Sequence, residues 1–452
     1  MTERNYKMKK ILALLMCIIS VVVSLCACTN PDEFSDSETL SKDYTRNTDP
    51  SVSYNYDDGA TSAPLSYTVY ASSMTNFELR LFRNYFAQQQ DKTKSTLLAP
   101  IGTVLQLSLL ANGATGDSSD ELSLALGSDL TLDDINVCSS YFKSRMEAVS
   151  KIGNGEVDEL SGKKTEAGET EFVRLGTDVF FNDTLDVKTG FLQTNASYFG
   201  GDIFRFMFSD KDALSKVNSS LSDFTDSQAF TSLDKDSSMF MVSSSDVSDL
   251  WLESYSKADI EQGTFKSSSS DKSVNFMTSN ETLIKSDKAQ GVIKYTSKNP
   301  LKLMLIMPDE DISLEEYISD FDYTEFSNLL NSVDITKKAT AQIPEFTVSN
   351  GSQAVPLSEP LSDSGLYTLF TDEISFKNIS NSDDLRIDEI YELTDEISIS
   401  ASGINSDSEI AQNRADELEK TDSQIKFDRP FMFLLIDNES SIPLYIGTVD
   451  NI

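Results

Sequence analysis

A polar stretch of 25 residues near the C-terminus, residues 403–427, constrains the possible folds of this chain more than any other feature. It reads GINSDSEIAQNRADELEKTDSQIKF and leads into the apolar run FDRPFMFLLIDNESSIPLYIGTVDNI. Before it, Ile397 and Ile399 alternate with serines, which is typical of a strand with one buried face. Loops longer than about 15 residues are uncommon in compact domains and are normally functional or disordered. The pattern therefore predicts a functional loop held between two strands.

The charge and the residue types exclude several classes of function. The chain has a net charge of −36, with 37 basic and 73 acidic residues, and nucleic acid is excluded as a partner because phosphate binding needs a basic surface. The sequence contains no histidine, which excludes Ser-His-Asp and Cys-His catalysis and histidine-based zinc sites. Acidic runs such as 309–311 and 383–384 lack the spacing of a calcium loop. We therefore expect no catalytic residue, no metal and no cofactor.

Residues 1–28 have the features of a bacterial lipoprotein signal peptide. Lys7, Lys9 and Lys10 form a basic start, and the apolar run that follows is too short for a comfortable membrane span. The run ends in Leu-Cys-Ala-Cys, which resembles the bacterial lipobox, in which the last cysteine carries diacylglycerol. This resemblance predicts lipidation of Cys28 and attachment to the outer face of the bacterial cell membrane. The alternative is an ordinary cleaved signal peptide.

The rest of the chain divides into a tether and one domain. Residues 29–70 are rich in Ser, Asp, Thr and Asn and poor in apolar residues, which predicts a flexible tether. Residues 71–452 mix helical and strand patterns without regular alternation, which indicates an α+β domain. Cys138 is the single cysteine after Cys28, so we expect no intrachain disulfide in the mature protein.

Several segments of this domain resemble the serpin family, in the family's order, from about Thr75 to Ile452. They are LLAPIGTVLQLSLLANGATGDSSDEL, NASYFGGDIFRFMFSD, SMFMVSSSDVSDLW, LKLMLIMPDE, IPEFTV and the C-terminal run from Phe427. The resemblance implies three β-sheets, about nine helices and an exposed reactive loop near the C-terminus. It places Trp251, the single tryptophan, at the breach of sheet A.

The resemblance also implies a mechanism and a partner. A target serine protease, or a papain-like cysteine protease, would cleave the loop, which would then insert into sheet A as an extra strand while the acyl-enzyme still exists. The chain would then act as a monomeric suicide substrate at the cell surface. The alternative is a non-inhibitory serpin fold that serves as a surface binding or adhesion module.

The resemblance assigns roles to two parts of the loop. The hinge comprises Gly403, Ile404, Asn405, Ser406, Asp407 and Ser408, in which the family's usual glutamates and alanine run are missing. Counting from the hinge puts the reactive bond after Glu417, and counting back from the C-terminal run puts it after Glu419. The bond therefore lies within Asp416, Glu417, Leu418, Glu419, Lys420 and Thr421.

Alternation along an inserted strand would point Ile404, Ser406, Ser408 and Ile410 inward. Asn405 would then face outward, and we expect Asn405→Asp to be almost silent.

The family's shutter, a buried polar cluster behind sheet A, looks rebuilt in this chain. The resemblance places Ala99 and Gly102 where two serines are usual, Leu393 where a buried histidine is usual, and Ser243 where an asparagine is usual. These residues predict that small and apolar groups replace the polar cluster.

The lipobox generates the first testable prediction. Cys28→Ser removes the thiol that would carry the lipid, so we expect an unprocessed precursor without metabolic lipid labelling. Cys138→Ser is the matched control and should retain the label. Unchanged labelling of the Cys28→Ser protein would contradict the prediction.

Overall fold

The computed structural model describes residues 33–45, 63–153, 171–297, 301–371, 375–413 and 418–452. The signal segment and Cys28 lie outside the described residues, as do Asp416 and Glu417 of the reactive region.

Nine α-helices form within the described ranges. They are α1 (Tyr67–Gln88), α2 (Pro100–Gly113), α3 (Asp117–Leu126), α4 (Leu132–Gly153), α5 (Thr189–Thr194), α6 (Ala213–Ser220), α7 (Leu314–Asp320), α8 (Tyr323–Asn331) and α9 (Ser358–Leu361). Helix α1 buries Phe77, Leu81 and Tyr85 on one face, as their spacing requires. Helix α2 begins with Pro100 in its first turn, where the missing N–H costs nothing. Among the described helices, none combines the length and the hydropathy needed to span a membrane.

Seventeen β-strands form in the same ranges. They are β1 (Leu97–Leu98), β2 (Phe172–Asn182), β3 (Ile203–Phe206), β4 (Met239–Leu250), β5 (Ile260–Lys266), β6 (Asp271–Lys285), β7 (Ala289–Tyr295), β8 (Leu301–Pro308), β9 (Lys338–Pro344), β10 (Phe346–Ser349), β11 (Val355–Pro356), β12 (Glu389–Leu393), β13 (Glu396–Ile399), β14 (Gly403–Ile404), β15 (Ser423–Lys426), β16 (Phe431–Asp437) and β17 (Pro443–Val449).

Eight of these strands form sheet A, in which β4 is central. The order is β10-β13-β14-β4-β12-β11, with β2 on the other side of β4 and β3 beyond β2. Strand β12 runs parallel to the first half of β4, where its residues Glu389–Leu393 pair with Phe240–Ser244. Strand β14 runs antiparallel to the end of β4, where Gly403 pairs with Leu250. The segment 245–248 of β4 lies between these two paired stretches.

The other nine strands form one continuous sheet in the order β1-β17-β16-β8-β7-β6-β9-β15, with β5 attached to β6. The first part of the long strand β6 pairs with β5 and β9, and its last four residues, Thr282–Lys285, pair with β7. Two of the three expected sheets are therefore hydrogen-bonded to each other through β6. The prediction of an α+β domain with about nine helices is confirmed for the described residues.

The main hydrophobic core lies around helix α2, which contacts β4 and β12 of sheet A and β17 of the nine-stranded sheet. Helix α2 approaches sheet A so closely that a Cβ at Gly102 would lie 2.8 Å from the Cβ of Ser243. A second, phenylalanine-rich cluster packs helix α6 against the other face of sheet A and includes Phe180, Phe206 and Phe240. The part of sheet A around Phe180 and Phe240 is thus buried on both faces.

The N-terminal segment Glu33–Thr45 packs against the edge of sheet A, so the prediction of a flexible tether is wrong for these residues. The ring of Phe34 stacks on Phe204 at 4.1 Å between centroids, and the backbone N–H of Leu40 donates to the carbonyl O of Ile203 at 2.8 Å. The segment docks because Phe34 and Leu40 supply apolar surface and because the outer backbone groups of the edge strand β3 pair with it. Residues 46–62 lie outside the described residues, and helix α1 already begins at Tyr67.

Cys138 is buried and is not in a disulfide. Burial raises the pKa of its thiol to about 11, which keeps it protonated and unreactive at neutral pH.

The docked segment generates the second prediction. Phe34→Ala removes a half-buried ring from the cluster under α6, so we expect the free energy of unfolding to fall by about 1–2 kcal/mol. The measurement is the midpoint of chemical denaturation. Leu65→Ala, at a fully exposed side chain, is the control and should leave the midpoint unchanged. Equal midpoints for wild type and Phe34→Ala would mean that the segment does not dock.

Candidate functional site

The first residues of the predicted hinge already lie inside sheet A. Ile404 pairs with Ile399 of β13 on one side and with Asp249 of β4 on the other, and its side chain is completely buried in the main core. Gly403 is required here because a Cβ at this position would lie 2.1 Å from the carbonyl O of Asp249. Two loop residues therefore occupy the end of sheet A in the intact chain.

The inserted stretch ends at Asn405, and the loop then leaves the sheet. Asn405 has a left-handed backbone with a φ of 45°, and its half-buried side chain bonds to both β4 and β13. Asp407 and Ser408 are exposed. The amide of Asn405 links two strands of the intact chain, and the expectation that Asn405→Asp is almost silent did not take these contacts into account.

Trp251 closes the same end of sheet A. It is 2% exposed, and its indole Nε1–H donates to the carbonyl O of Ser400 at 2.8 Å. The Lys294 ammonium lies 5.2 Å from the centroid of the Trp251 ring and forms a 2.7 Å ion pair with Glu281. Burial lowers the pKa of Lys294, but the Glu281 carboxylate outweighs this and raises it. At the breach, the buried Lys294 ammonium therefore lies beside the rings of Trp251 and Tyr255. The Trp251 indole is also hydrogen-bonded to the segment that leads into the hinge.

The shutter contains a carboxyl group that the sequence analysis missed. Glu392 is 1% exposed and accepts a hydrogen bond from the backbone N–H of Ala99 at 3.3 Å and another from the hydroxyl of Thr394. Opposite Glu392 in the sheet, the Ser243 hydroxyl lies 3.3 Å from the hydroxyl of Thr103. The prediction that apolar and small groups replace the polar cluster is therefore wrong.

Leu393 was predicted at the shutter because the sequence did not show a shift in register along the strand that leads to the loop. Ile390, Ile397 and Ile399 pack in the main core, whereas Leu393 packs in the phenylalanine-rich cluster on the other face. The residues that face the main core are therefore even-numbered in β12 and odd-numbered in β13. This change requires one additional residue between the two strands. This extra residue moves Leu393 away from the shutter and places Glu392 there.

Two buried carboxyl groups lie along the part of sheet A that would open. Burial raises the pKa of Asp249, beside Ile404, to about 7, and it raises the pKa of Glu392 to about 7 as well. The Oε2 atom of Glu392 has no hydrogen-bond partner among the described residues. Both groups are therefore partly neutral near pH 7 and would favour ionisation if water entered the sheet.

The C-terminal half of the loop is anchored to the nine-stranded sheet. The side-chain amide of Asn280 donates to the carbonyl O of Glu419 at 2.8 Å, and the hydroxyl of Thr421 lies 2.7 Å from that of Thr340. From Ser423 onward, β15 pairs in parallel with β9. Leu418 is half-buried, and Glu419 and Lys420 are exposed.

The loop and the body of the domain line an open cleft of about 680 Å³. Its lining combines loop residues and residues of the body, namely Glu409, Ile410, Ala411, Asn413, Leu418 and Glu419 with Glu253, Ser254, Tyr255, Ser256, Ser279, Asn280 and Lys338. In the described part of the chain, no group of three potential metal ligands occurs.

A family model described as serpin (serine protease inhibitor) matches residues 72–452. A protein named serine protease inhibitor, from Cyanea capillata, is 25% identical over 162 residues, which are 35% of this chain and 41% of that protein. The alignment thus spans less than half of that relative's length.

The solved structures show the same fold. The crystal structure of the thermophilic serpin tengpin in its native state superimposes with a TM-score of 0.75 at 24% identity, and it covers 92% of this chain and 99% of tengpin. Tengpin in its latent state gives a TM-score of 0.66 at 24% identity, with 88% and 100% covered.

The pKa of Glu392 generates the third prediction. Since its pKa rises from 4.5 in the unfolded chain to about 7 in the folded one, the folded state binds more protons between these values. The stabilising contribution of Glu392 is therefore complete below pH 4.5 and is lost as the pH rises through about 7. The loss amounts to at most about 3 kcal/mol.

Glu392→Gln removes this titration. We expect its free energy of unfolding, relative to wild type, to increase between pH 5 and 7 and to stay constant above pH 8. Glu409→Gln, at an exposed loop residue, is the control and should show no such pH-dependent difference. A flat difference for Glu392→Gln across this range would contradict the burial of an ionisable Glu392.

Proposed function

The chain belongs to the serpin family, and from that premise we propose that it inhibits target proteases as a suicide substrate, by cleavage and insertion of its reactive loop into sheet A. The observation that carries the proposal is the position of β14. Gly403 and Ile404 already form the first residues of an additional strand between β13 and β4. Further loop residues can extend this strand in the same register.

The register defines what full insertion would require. Ile404 pairs with Asp249, so the residue numbers of each antiparallel pair add to 653, and a strand that reached Met239 would end at position 414. The reactive region at 416–421 begins two residues after this position. Insertion would replace the parallel pairing of β12 with Phe240–Ser244 by antiparallel pairing of the loop along β4.

The inward positions of the extended strand are largely suitable. Ser406 and Ser408 are small, and Ile410 already packs against the main core. At about 3.3 Å per residue, ten more inserted residues would carry an attached protease roughly 33 Å along the sheet. A protease dragged this far against the body of the domain would be distorted before the acyl-enzyme is hydrolysed.

The hydrogen bonds that hold the C-terminal half of the loop affect which peptide bond a protease can cleave. The carbonyl O of a scissile residue must enter the protease's oxyanion hole. The carbonyl O of Glu419 instead accepts a hydrogen bond from Asn280, so cleavage after Glu419 requires that bond to break. Cleavage after Leu418 does not, and it would suit a chymotrypsin-like or elastase-like protease.

We extend the proposal to the location of the inhibitor. A lipid on Cys28 would lie only five residues before Glu33, where the chain docks on the edge of sheet A. Five extended residues span at most about 18 Å. The domain would thus lie close to the outer face of the bacterial cell membrane, with the β3 edge toward the lipid.

A second candidate is a non-inhibitory serpin fold used as a surface binding or adhesion module. One observation favours it. Gln412 follows Ile410 on the inward face of the extended strand, and burial of an amide without partners costs free energy. The two candidates differ in whether cleavage of the loop traps the protease.

Ser408 provides the test and the fourth prediction. Ile404 is unsuitable because it is already buried, and a charge there would disturb the fold of the intact chain. Ser408 is exposed now and would face inward after insertion. Burial of an unpaired carboxylate costs several kcal/mol, and a barrier higher by about 1.4 kcal/mol slows insertion tenfold. Ser408→Asp should therefore be cleaved as a substrate without trapping the protease.

The measurement is incubation with a panel of Glu-specific, trypsin-like, chymotrypsin-like, elastase-like and papain-like proteases, followed by denaturing gels and mass spectrometry of the released peptide. Ala411→Asp places the same charge on the outward face and should still form the covalent complex that wild type forms. Cleavage of the wild-type loop by the panel without any covalent complex would support the binding-module alternative.

A further inference from the structure

The side chain of Asn405 fills the gap in sheet A directly after the inserted hinge. Its Nδ2–H₂ group donates to the carbonyl O of Val247 on β4 at 2.9 Å and to the carbonyl O of Glu396 on β13 at 3.3 Å. Its Oδ1 accepts from the backbone N–H of Ser398 at 2.6 Å. The hydroxyl of Ser248 donates to the backbone carbonyl O of Asn405 at 3.2 Å. One amide thus links the two strands that border the gap.

These three partners are the ones that an inserted strand would use. The Ile399 and Ile404 pair defines the register with β13, so Asn405 faces Ser398 and Asp407 faces Glu396. The Ile404 and Asp249 pair defines the register with β4, so Ser406 faces Val247.

In an antiparallel ladder, the N–H of Ser398 would donate to the backbone carbonyl of Asn405, and the carbonyls of Val247 and Glu396 would accept from the N–H groups of Ser406 and Asp407. The Asn405 side chain takes all three of these places in the intact chain.

The backbone at Asn405 fits this role. A φ of 45° turns the chain out of the sheet, and asparagine tolerates this conformation better than other residues with a Cβ. Asparagine also carries both an acceptor and two donors on a short side chain. Aspartate lacks the donors, and glycine has the conformational freedom without the side chain. Asn405 combines the turn and the hydrogen bonds in one residue.

A second set of contacts holds the loop where it leaves the sheet. The hydroxyl groups of Ser400 and Ser402 both donate to the carbonyl O of Ser406, at 2.9 and 2.6 Å. Ser400 is also the residue whose carbonyl accepts from the Trp251 indole. The exit of the loop is therefore held in place by the segment that connects β13 to β14.

We propose that Asn405 is a clasp that stops insertion of the intact loop after Ile404, by occupying the backbone hydrogen-bonding positions that the next residues must take. Further insertion requires the amide to leave three partners and the backbone to change from the left-handed to the extended conformation. The clasp therefore holds the loop available for a protease and sets the barrier to insertion. This role deepens the proposed function and rests on it.

The test measures insertion of the intact loop, without any protease. Purified wild type and Asn405→Gly are held at a temperature below unfolding, and the fraction that becomes resistant to urea is followed while mass spectrometry verifies an uncleaved chain. Asn405→Gly keeps the left-handed backbone accessible and removes the three side-chain bonds. We expect its conversion to the resistant form to be about tenfold faster than that of wild type.

Two further variants separate the clasp from a general effect on the loop. Asn413→Gly makes the same substitution at an exposed residue of the same loop and should convert at the wild-type rate. Asn405→Asp keeps an acceptor for Ser398 but places a carboxylate against two carbonyl oxygens, and it should convert at least as fast as Asn405→Gly.

Equal rates for wild type and Asn405→Gly, no conversion of either, or a wild-type rate for Asn405→Asp would overturn the clasp. A failure of the proposed function has a different signature. In that case no variant traps a protease, while the conversion rates still differ between Asn405→Gly and Asn413→Gly.

Discussion

The architecture of this domain depends on the incomplete pairing along one edge of β4. The first half of that edge pairs with β12 and its end pairs with β14, while residues 245–248 lie between the two. Backbone donors and acceptors inside a sheet must be satisfied, so a gap in the ladder is unstable unless something fills it. Here the filler is a side chain, the amide of Asn405. Under the proposed mechanism the alternative filler is the loop itself, and the loop backbone and the Asn405 amide would then compete for the same hydrogen-bonding positions.

The groups around the gap are mostly hydroxyls, amides and carboxyls with raised pKa values. Ser245 and Thr394 share a 2.8 Å contact between their hydroxyls, and Ser248 donates to Asn405. Such groups exchange partners at a lower cost than paired full charges, whose separation leaves a buried ion. Under the proposed insertion, sheet A would open in its middle, and neutral polar contacts there would lower the cost of opening. The one buried ion pair of this region named above, Lys294 with Glu281, lies at the end of the sheet, beside Trp251.

Both ends of the loop are attached to parts of the fold that, under the proposed mechanism, would not move with it. Downstream of the reactive region, β15 pairs with β9 in the nine-stranded sheet, and Asn280 and Thr340 hold Glu419 and Thr421. Upstream, the chain passes from β13 into β14 inside sheet A. Cleavage between these anchors would release only the part of the loop upstream of the cleaved bond. That part continues from β14, which already lies between β13 and β4.

The sequence determined the family and the order of elements. Buried strands, helix patterns and the C-terminal run are local patterns that can be recognised without knowing which segments they pack against. The resemblance assigned Ile404 to the hinge and Trp251 to the breach, and the structure brings both residues to the same end of sheet A. It failed at Leu393 and Glu392, because one additional residue between β12 and β13 reverses which side chains face inward, and such a shift shows only in the pairing of strands.

Three features were decided by tertiary structure alone. Phe34 looked like part of a polar tether, but its partners are phenylalanines more than a hundred residues away in the chain. The role of Asn405 depends on carbonyl groups of β4 and β13, which meet its side chain only after sheet A has formed and left a gap. The anchoring of Glu419 depends on Asn280, which β6 brings beneath the loop. In each case at least one contact joins residues that are distant in sequence, such as Asn405 with Val247, and such contacts leave no local pattern along the chain.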